Sequence, residues 1–222
     1  MSHIELLERQ GTRDEIERGK AELRALGAMF HQRGWCLGTS GNFSMVVSRD
    51  PLLVLVTASG KDKSMLGADD FVVVGEDGQP VGEASARPSA ETLLHIAAAR
   101  RAGAGAVLHT HSVWSTILSD RWIDRGHLEI SGFEMLKGLK GITTHDTSVK
   151  LPVFENTQDI PAFAAELEER LSDSKQPMEH GYLIQKHGMH TWGADLAEAR
   201  RHVEILEFLF EAVGRMELGG GR

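Results

Sequence analysis

A short apolar segment that ends in two histidines constrains the fold more than any other feature of the chain. Gly103 and Gly105 precede the run AVL at 106–108, and His109 and His111 follow it, separated by a threonine. A short apolar run bounded by glycines predicts a buried strand. Side chains alternate between the faces of a strand, so both histidines are expected on one face. Two such imidazoles can bind one divalent metal ion such as zinc, which then needs a third ligand and an open position. The alternative is a strand end without a ligand role, and the tripeptide alone leaves both interpretations open.

Size and charge restrict the classes of protein to which the chain can belong. Its 222 residues suit a single domain, which we expect to span residues 1–222 with an ordered core over about 12–216. The net charge is −8 and no block of lysine and arginine occurs, so nucleic acid is not an expected partner. No run approaches the roughly 18 apolar residues of a membrane span, so no membrane partner is expected either.

Cysteine content and the N-terminal residues predict a cytoplasmic protein. Cys36 has no second cysteine with which to form an internal disulfide, which fits a reducing compartment. The first ten residues, MSHIELLERQ, include acidic residues and lack the apolar segment of a secretion signal. We therefore expect the protein in the cytoplasm.

Apolar spacing and turn signals predict helices that alternate irregularly with strands. A capping box at Thr12 and Glu15 precedes apolar residues at helical spacing, which predicts a helix over 12–33. Asp159 and Asp195 predict the starts of two later helices. Besides the histidine strand, the remaining predicted elements are strands at 43–47, 52–57, 71–74, 151–154 and 182–186, helices at 89–102, 159–172 and 196–215, and a short helix or turn at 131–139. Several strands are arranged like hairpins, so we predict an α/β protein with a mixed, mainly antiparallel sheet and helices packed on it.

Three histidines are candidates for the third metal ligand. His187 follows the predicted strand 182–186, so a second strand end could meet the first within the sheet. Gly188 would let the backbone turn sharply there. His190 and His95 are alternatives. A histidine in such a place is more often a partly exposed polar residue, or a donor that hydrogen-bonds to a ligand from behind it, than a ligand itself. We therefore expect His187 to complete the set.

Two glycine-rich turns predict an anion-binding site. Residues 38–42, GTSGN, connect the first predicted helix to the first strand, and residues 57–60, TASG, end the second strand before Lys61 and Lys63. Such turns expose backbone N–H groups, which hydroxyl groups and an ammonium can complete into a phosphate cradle. Ser89, at the start of the next predicted helix, adds a further contact because a helix N-terminus attracts anions. Either turn alone is more often only a turn, and neither matches a Walker or dinucleotide-binding motif.

Glu91 and Glu134 are candidates for a general acid or base. Glu91 falls in the first turn of the predicted helix 89–102, where its carboxylate could instead stabilise the helix dipole. Glu134 falls in GFEMLKG, residues 132–138, where an apolar setting could raise its pKa toward neutrality. By pattern alone, a surface position explains Glu134 slightly better than a catalytic role. No nucleophile elbow is present and Cys36 has no patterned histidine partner, so covalent catalysis is not expected.

Five motifs in a fixed order resemble the class II aldolase/adducin family. They are TSGN at 39–42, TASGK at 57–61, PSAETLLH at 88–95, AVLHTHS at 106–112 and KHG at 186–188. Their order is far more specific than any one of them, and the similarity extends from about residue 12 to 215. The resemblance implies a three-layer α/β/α fold and a zinc enzyme that acts on small sugar phosphates. It also implies one Zn²⁺ per subunit, bound by His109, His111 and His187.

Three segments resemble the branch of this family that dehydrates methylthioribulose 1-phosphate in methionine salvage. They are FEMLKG at 133–138, FENT at 154–157 and HGMHTWG at 187–193. This resemblance assigns the acid/base role to Glu134, whereas the family's aldolases use the glutamate of a Ser-Ser-Glu motif, which falls on Glu91. Ala90 departs from that motif and removes one hydroxyl group from the expected phosphate site. How the phosphate is bound and what Glu91 does are therefore open.

The resemblance also implies phosphate contacts and an assembly. Asn42, Ser59, Gly60 and Ser89 match the family's phosphate-binding positions, and we add Lys63 because of its charge. The family suggests a homotetramer whose active sites lie near subunit interfaces. Two alternatives remain: a class II sugar-phosphate aldolase or epimerase, and a non-catalytic adducin-like binding domain.

Overall fold

A mixed sheet of eight strands forms the centre of the protein. The structure is a computed structural model that describes residues 2–84 and 86–219. The strands are β1 (Asn42–Arg49), β2 (Leu52–Thr57), β3 (Phe71–Val74), β4 (Ala106–Thr110), β5 (His127–Ser131), β6 (Ser148–Phe154), β7 (Tyr182–Ile184) and β8 (Gly188–Gly193). Their order across the sheet is β3-β2-β1-β4-β8-β7-β6-β5. Strands β6 and β7 run parallel and the other neighbouring pairs are antiparallel, which confirms the predicted mixed, mainly antiparallel sheet.

Helices cover both faces of this sheet. They are α1 (His3–Glu8), α2 (Gln10–Gln32), α3 (Thr92–Arg101), α4 (Val113–Trp122), α5 (Ile160–Ser172) and α6 (Leu196–Leu218). Side chains of α2, α4 and α6 form one core with the face of β4 that carries Leu108. Side chains of α3 and α5 form a second core with the opposite face, which carries Val107. The fold is therefore the three-layer α/β/α arrangement that the resemblance implied.

The long helices begin where their sequence signals placed them, with one exception. The side chains of Asp159 and Asp195 cap α5 and α6 as predicted. The predicted helix start at Thr12 is wrong, because α2 begins at Gln10 and contains Thr12. A capping box is present instead at Ser2–Glu5, where it starts α1. Since a single residue separates α1 from α2, no side-chain cap starts the second helix.

Sequence analysis does not identify four of the helices and strands that the structure contains: α1, α4, β5 and β8. Helix α4 has the sequence VWSTILSDRW, in which polar and apolar residues alternate too irregularly to form an apolar stripe. Strand β8, GMHTWG, begins and ends with glycine, which made it resemble a turn. Among the helices that the structure describes, none is long and apolar enough to cross a membrane.

Candidate metal and anion site

A row of four side chains crosses the sheet near the end of β4. Asn42 of β1 pairs with His109 of β4, which pairs with His190 of β8. His190 in turn pairs with Tyr182 of β7. Residues in register on neighbouring strands project from the same face, here the face that α3 covers. The ring of His190 stacks between those of His109 and Tyr182, at centroid distances of 3.8 and 4.8 Å. This stack fixes the plane of the His109 ring.

Three imidazoles converge at the end of this row. The Nε2 atoms of His109 and His111 lie 2.7 Å apart. The ring of His187 is centred 4.5 Å from the ring of His111 and 5.1 Å from that of His109. Nδ1 of His109 lies 2.9 Å from the carbonyl oxygen of Met189. Because a carbonyl oxygen only accepts, Nδ1 carries the proton and Nε2 keeps the lone pair that a metal ion requires.

The carboxylate of Glu91 reaches the same cluster. Its Oε2 lies 3.2 Å from Nε2 of His109, and its Oε1 lies 3.6 Å from Nε2 of His187. The predicted helix start at 89 is wrong, because α3 begins at Thr92 and Glu91 is its N-cap residue. The side chain of Glu91 caps no backbone N–H group. Its carboxylate turns toward the histidines instead.

These donors fit a divalent transition-metal ion. Burial lowers the pKa of His109 well below its usual value and lowers the pKa of His111 to about 3. Both rings are therefore neutral at physiological pH, and neutral imidazole is the form that binds a metal ion. One ring nitrogen each of His109, His111 and His187 can be chosen so that all lie within 4.8 Å of one another. A set of three imidazoles is a ligand arrangement that zinc enzymes use.

His190 and His95 are more deeply buried than the sequence suggested. Of the two roles expected for them, a partly exposed position applies to neither, since both residues are fully buried, while a hydrogen bond behind the ligands describes His95. His190 belongs to a second group with Glu91 and His109 whose ligand atoms also lie within 4.8 Å of one another. Within the described residues, both ring nitrogens of His190 lack a hydrogen-bond partner. His95, in contrast, contacts Asn42 and lies behind the site.

Two glycines let neighbouring segments approach β4 closely. Gly41 has a φ of 75°, and a Cβ there would lie 2.7 Å from the carbonyl oxygen of His109. A Cβ on Gly188 would lie 2.1 Å from the carbonyl oxygen of Thr110. A larger residue at either position would therefore push its segment away from the histidine strand. The predicted sharp turn at Gly188 is wrong, because the chain turns at Lys186, whose φ is 54°, and Gly188 begins β8.

A cavity of about 330 Å³ opens beside the histidines. It is lined by all five predicted phosphate-binding residues together with Glu91 and two of the histidines: Asn42, Ser59, Gly60, Lys63, Ser89, Glu91, His111 and His187. The structure thus brings the predicted anion site and the predicted metal site into one pocket. Ser40, which sequence analysis did not single out, also lines the cavity. Its hydroxyl oxygen is buried without a partner in the described part of the chain, so it is available to a ligand.

Lys63 and Asn42 line the cavity, but their side-chain nitrogens donate to protein groups. Lys63 is 1% exposed, and its Nζ donates to the carbonyl oxygens of Lys61 at 2.6 Å and Thr39 at 3.1 Å. The ammonium therefore ties the two glycine-rich turns together, and burial lowers its pKa. Nδ2 of Asn42 donates to Oε2 of Glu91 at 2.7 Å. Lys63 thus places a positive charge at the wall of the predicted anion site, while Asn42 orients the carboxylate of Glu91.

Glu134 lies at the surface, apart from this pocket. It begins a 3₁₀ helix, Glu134–Gly138, just after β5, and β8, β7 and β6 separate β5 from β4. Its side chain is 70% exposed and accepts a hydrogen bond from Nζ of Lys137 at 2.8 Å. This hydrogen bond lowers the pKa of Glu134, so the expected rise toward neutrality is wrong. The apolar residue of the segment that enters the core is Leu136, while the carboxylate points outward.

Other pocket residues come from a segment whose role the sequence did not reveal. Thr157, Gln158 and Ile160 line the cavity from the loop and first residue of α5. The signal that could have located them is FENT at 154–157, one of the segments that resembles the dehydratase branch. Spacing along the chain could not have located these residues, because the pairing of β6 with β7 is what brings this loop to the pocket.

Comparison with known proteins agrees with this architecture. The family model for the class II aldolase and adducin N-terminal domain matches residues 21–213. A methylthioribulose-1-phosphate dehydratase from Sorangium cellulosum (strain So ce56) is 46% identical over 192 residues, which cover 86% of this chain and 89% of that protein. A methylthioribulose-1-phosphate dehydratase from Xanthomonas campestris pv. campestris (strain 8004) is 49% identical over 179 residues, or 80% of each chain.

A solved structure shows the same fold. The L-fuculose-1-phosphate aldolase from Thermus thermophilus superposes with a TM-score of 0.71 at 25% identity, covering 93% of this chain and 98% of that one. Sequence and structure therefore agree over most of the chain, including the strands that carry the histidines. This protein belongs to the class II aldolase and adducin family.

Proposed function

We propose that this protein is a hydro-lyase that converts 5-methylthioribulose 1-phosphate to 5-methylthio-2,3-dioxopentyl phosphate in methionine salvage. The observation that carries the proposal is the position of two imidazoles and a carboxylate at the wall of the cavity, with the third imidazole, that of His109, in contact with the carboxylate. The substrate's phosphate would bind the glycine-rich turns, while the carbons to be dehydrated would lie at the histidines. The names of the relatives support this reaction and do not favour an aldolase, an epimerase or a binding domain.

The metal ion would be Zn²⁺, one per subunit, bound by His109, His111 and His187. When bound, it would act as a Lewis acid toward the carbonyl and hydroxyl oxygens of the substrate. The tautomer of His109, fixed by the carbonyl of Met189, supports this ligand set. We also propose a cytoplasmic homotetramer, as the resemblance and composition suggested.

The phosphate cradle would determine which end of the substrate faces the histidines. Ser59, Gly60, Ser89 and Ser40 line the cavity, and the hydroxyls of the three serines would donate to the phosphate. Ser40 supports the proposal most directly, since its buried hydroxyl has no partner among the described residues. This hydroxyl compensates for the one that Ala90 removes. The charge of Lys63 favours an anion here without direct contact.

Two carboxylates would divide the proton chemistry. Glu134 would accept the proton from C3 of the substrate and return one to the hydroxyl on C4, which leaves as water. The enol that remains between C3 and C4 becomes the C3 ketone when C4 takes up a proton. The hydrogen bond from Lys137 lowers the pKa of Glu134, so its carboxylate is ionised in the single chain. Glu91 would orient the substrate beside His109.

The exposed position of Glu134 supports a site shared between subunits. Within one chain its carboxylate is far out on the edge of the sheet and lines none of the histidine pocket. Such a residue is available to the pocket of a neighbouring copy. We therefore propose that each active site takes its histidines from one subunit and Glu134 from the next.

Product analysis tests the function directly. The purified protein is incubated with methylthioribulose 1-phosphate or with fuculose 1-phosphate, before and after chelation. We expect a diketone phosphate, one water lighter than its substrate, from the first compound only. Activity should disappear on chelation and return with zinc. Cleavage of fuculose 1-phosphate to an aldehyde would indicate an aldolase, and absence of both zinc and turnover would indicate a binding domain.

A further inference from the structure

A series of four buried polar side chains leads from the sheet to the carboxylate at the histidines. Oγ of Ser44 lies 2.7 Å from Nδ1 of His95, and Nε2 of His95 contacts Oδ1 of Asn42. Nδ2 of Asn42 lies 2.7 Å from Oε2 of Glu91. All four residues are buried. Ser44 and Asn42 are two residues apart on β1, and Glu91 and His95 are four apart along α3, so each pair shares a face.

Chemistry fixes the direction of every hydrogen bond in this series. An ionised carboxylate only accepts, so the amide nitrogen of Asn42 must face Glu91. The amide oxygen then faces His95, and since it also only accepts, Nε2 of His95 must carry the proton. In a neutral ring Nδ1 is then the acceptor, and the hydroxyl of Ser44 donates to it. For a neutral His95 ring beside an ionised Glu91, this is the one assignment that satisfies all three contacts.

The surroundings of His95 are consistent with a neutral ring. The residue is fully buried, and this burial lowers its pKa to about 4. Its ring meets that of His190 edge to face, with centroids 5.7 Å apart. The nearest acidic group that acts on it is Glu91, from its own helix. A neutral imidazole has one donor and one acceptor, which is what the two neighbours require.

We propose that His95 is a positioning residue, whose Nε2–H group fixes the amide of Asn42 so that this amide holds the carboxylate of Glu91 against the histidines. The proposal rests on the proposed function only in placing Glu91 beside the reacting substrate. Without the proton on Nε2, the amide of Asn42 is free to rotate by half a turn. Its oxygen would then face the carboxylate, and the two acceptors would repel each other. Glu91 would lose its orientation even though no residue of the pocket had changed.

Two substitutions of His95 separate positioning from simple packing. Glutamine can place an amide N–H group where Nε2–H lies, whereas asparagine reaches only the place of Nδ1. Both remove the ring and leave a buried amide, so their melting temperatures should fall by similar amounts. We expect His95→Asn to lower kcat by roughly 10-fold, the effect of one lost buried hydrogen bond. His95→Gln should restore kcat to within about threefold of the wild type. KM and bound metal should stay near wild type in both.

The tautomer of His95 gives a readout that does not depend on activity. Selective ¹⁵N-histidine labelling, with His95→Gln to assign the resonance, reports which ring nitrogen carries the proton in the zinc-loaded and the metal-free protein. We expect the Nε2–H tautomer in both. The Nδ1–H tautomer, or equal kcat in the Asn and Gln variants, would overturn the proposal. If the wild type fails to dehydrate methylthioribulose 1-phosphate, the proposed function is wrong. The tautomer measurement then still tests the role of His95, because it reports whether Nε2–H can fix the amide of Asn42.

Discussion

Mixed oligomers of two inactive variants should recover activity if Glu134 acts at a neighbouring subunit's histidines. His109→Ala removes a proposed metal ligand and keeps the carboxylate of Glu134. Glu134→Gln removes that carboxylate and keeps the three imidazoles. Alone, Glu134→Gln should lower kcat by about 10²–10⁴-fold, the usual contribution of a general acid or base. His109→Ala should lose its metal and its turnover together.

The expected recovery follows from how one site would be assembled. In a random 1:1 mixture, a site works only if its histidines come from a Glu134→Gln subunit. Its carboxylate must come from a His109→Ala subunit. Each condition holds for about half of the subunits, so about a quarter of the sites should be intact in a closed ring with one such site per interface. A site built from one chain would recover nothing, because every subunit lacks one of the two groups.

The assay is turnover after co-expression of the two differently tagged chains and tandem purification of the mixed oligomer. A mixture of His109→Ala with His111→Ala is the matched control, and it should stay inactive because both chains lack part of the same metal site. Glu129→Gln controls for loss of an exposed carboxylate on β5, the edge strand that precedes the 3₁₀ helix of Glu134. Activity no higher than that of the parent variants, in verified mixed oligomers, would refute the shared site. Near-normal activity of Glu134→Gln alone would refute its role as the base.

Three further outcomes are expected. His187→Ala should lose bound metal and turnover, whereas His190→Ala should keep much of both. Elemental analysis checks this, and the reverse pattern would assign the ion to the second group of ligand atoms. Lys63→Met should destabilise the fold by about 1–3 kcal/mol, because a hydrogen-bonded buried charge is lost, and urea unfolding measures this loss. The same variant should raise KM with little change in kcat, which saturation kinetics measure. A change in kcat alone would contradict the assignment of Lys63 to the phosphate site. Burial raises the pKa of Glu207 to about 7, above its unfolded value, so its contribution to stability is present below about pH 4.5 and lost as the pH rises through 7. Glu207→Gln should therefore remove this decline from unfolding curves measured at pH 5–8, and equal slopes for the variant and the wild type would contradict the assignment.

Local sequence signals predicted the starts of α5 and α6 and the convergence of His109 and His111. Asp159 and Asp195 cap helices because their carboxylates accept from backbone N–H groups within the next turn, an interaction that needs no tertiary contact. The shared face of His109 and His111 follows from strand geometry alone, and their Nε2 atoms do meet. Such features depend on neighbours within four residues, which a single sequence displays.

Burial was harder to predict, and the errors there have one cause. Glu134 has apolar sequence neighbours, which left a buried setting open, but Leu136 of the same segment turns inward while the carboxylate lies at the surface, the position that the pattern slightly favoured. For His95 and His190 the sequence left a partly exposed position and a hydrogen bond behind the ligands open, and both residues are buried, with their rings edge to face. In each case the packing of α3 or of the 3₁₀ segment on distant strands decides the exposure. Spacing along the chain does not contain that information.

The order of strands in the sheet explains why separate motifs form one site. Strand β4 lies between β1 and β8, so His109 is flanked by Asn42 on one side and His190 on the other. Because side chains alternate, the same strand sends Thr110 to the opposite face, where its hydroxyl donates to Oε1 of the buried Glu207 at 2.8 Å. The histidine strand is thus fixed from both layers, by ring stacking on one face and by a buried hydrogen bond on the other. A shift of one residue in its register would exchange the two faces, and the imidazoles would then point into the core beneath α6. The proposed metal site therefore depends on the register of β4 as much as on the identity of its proposed ligands.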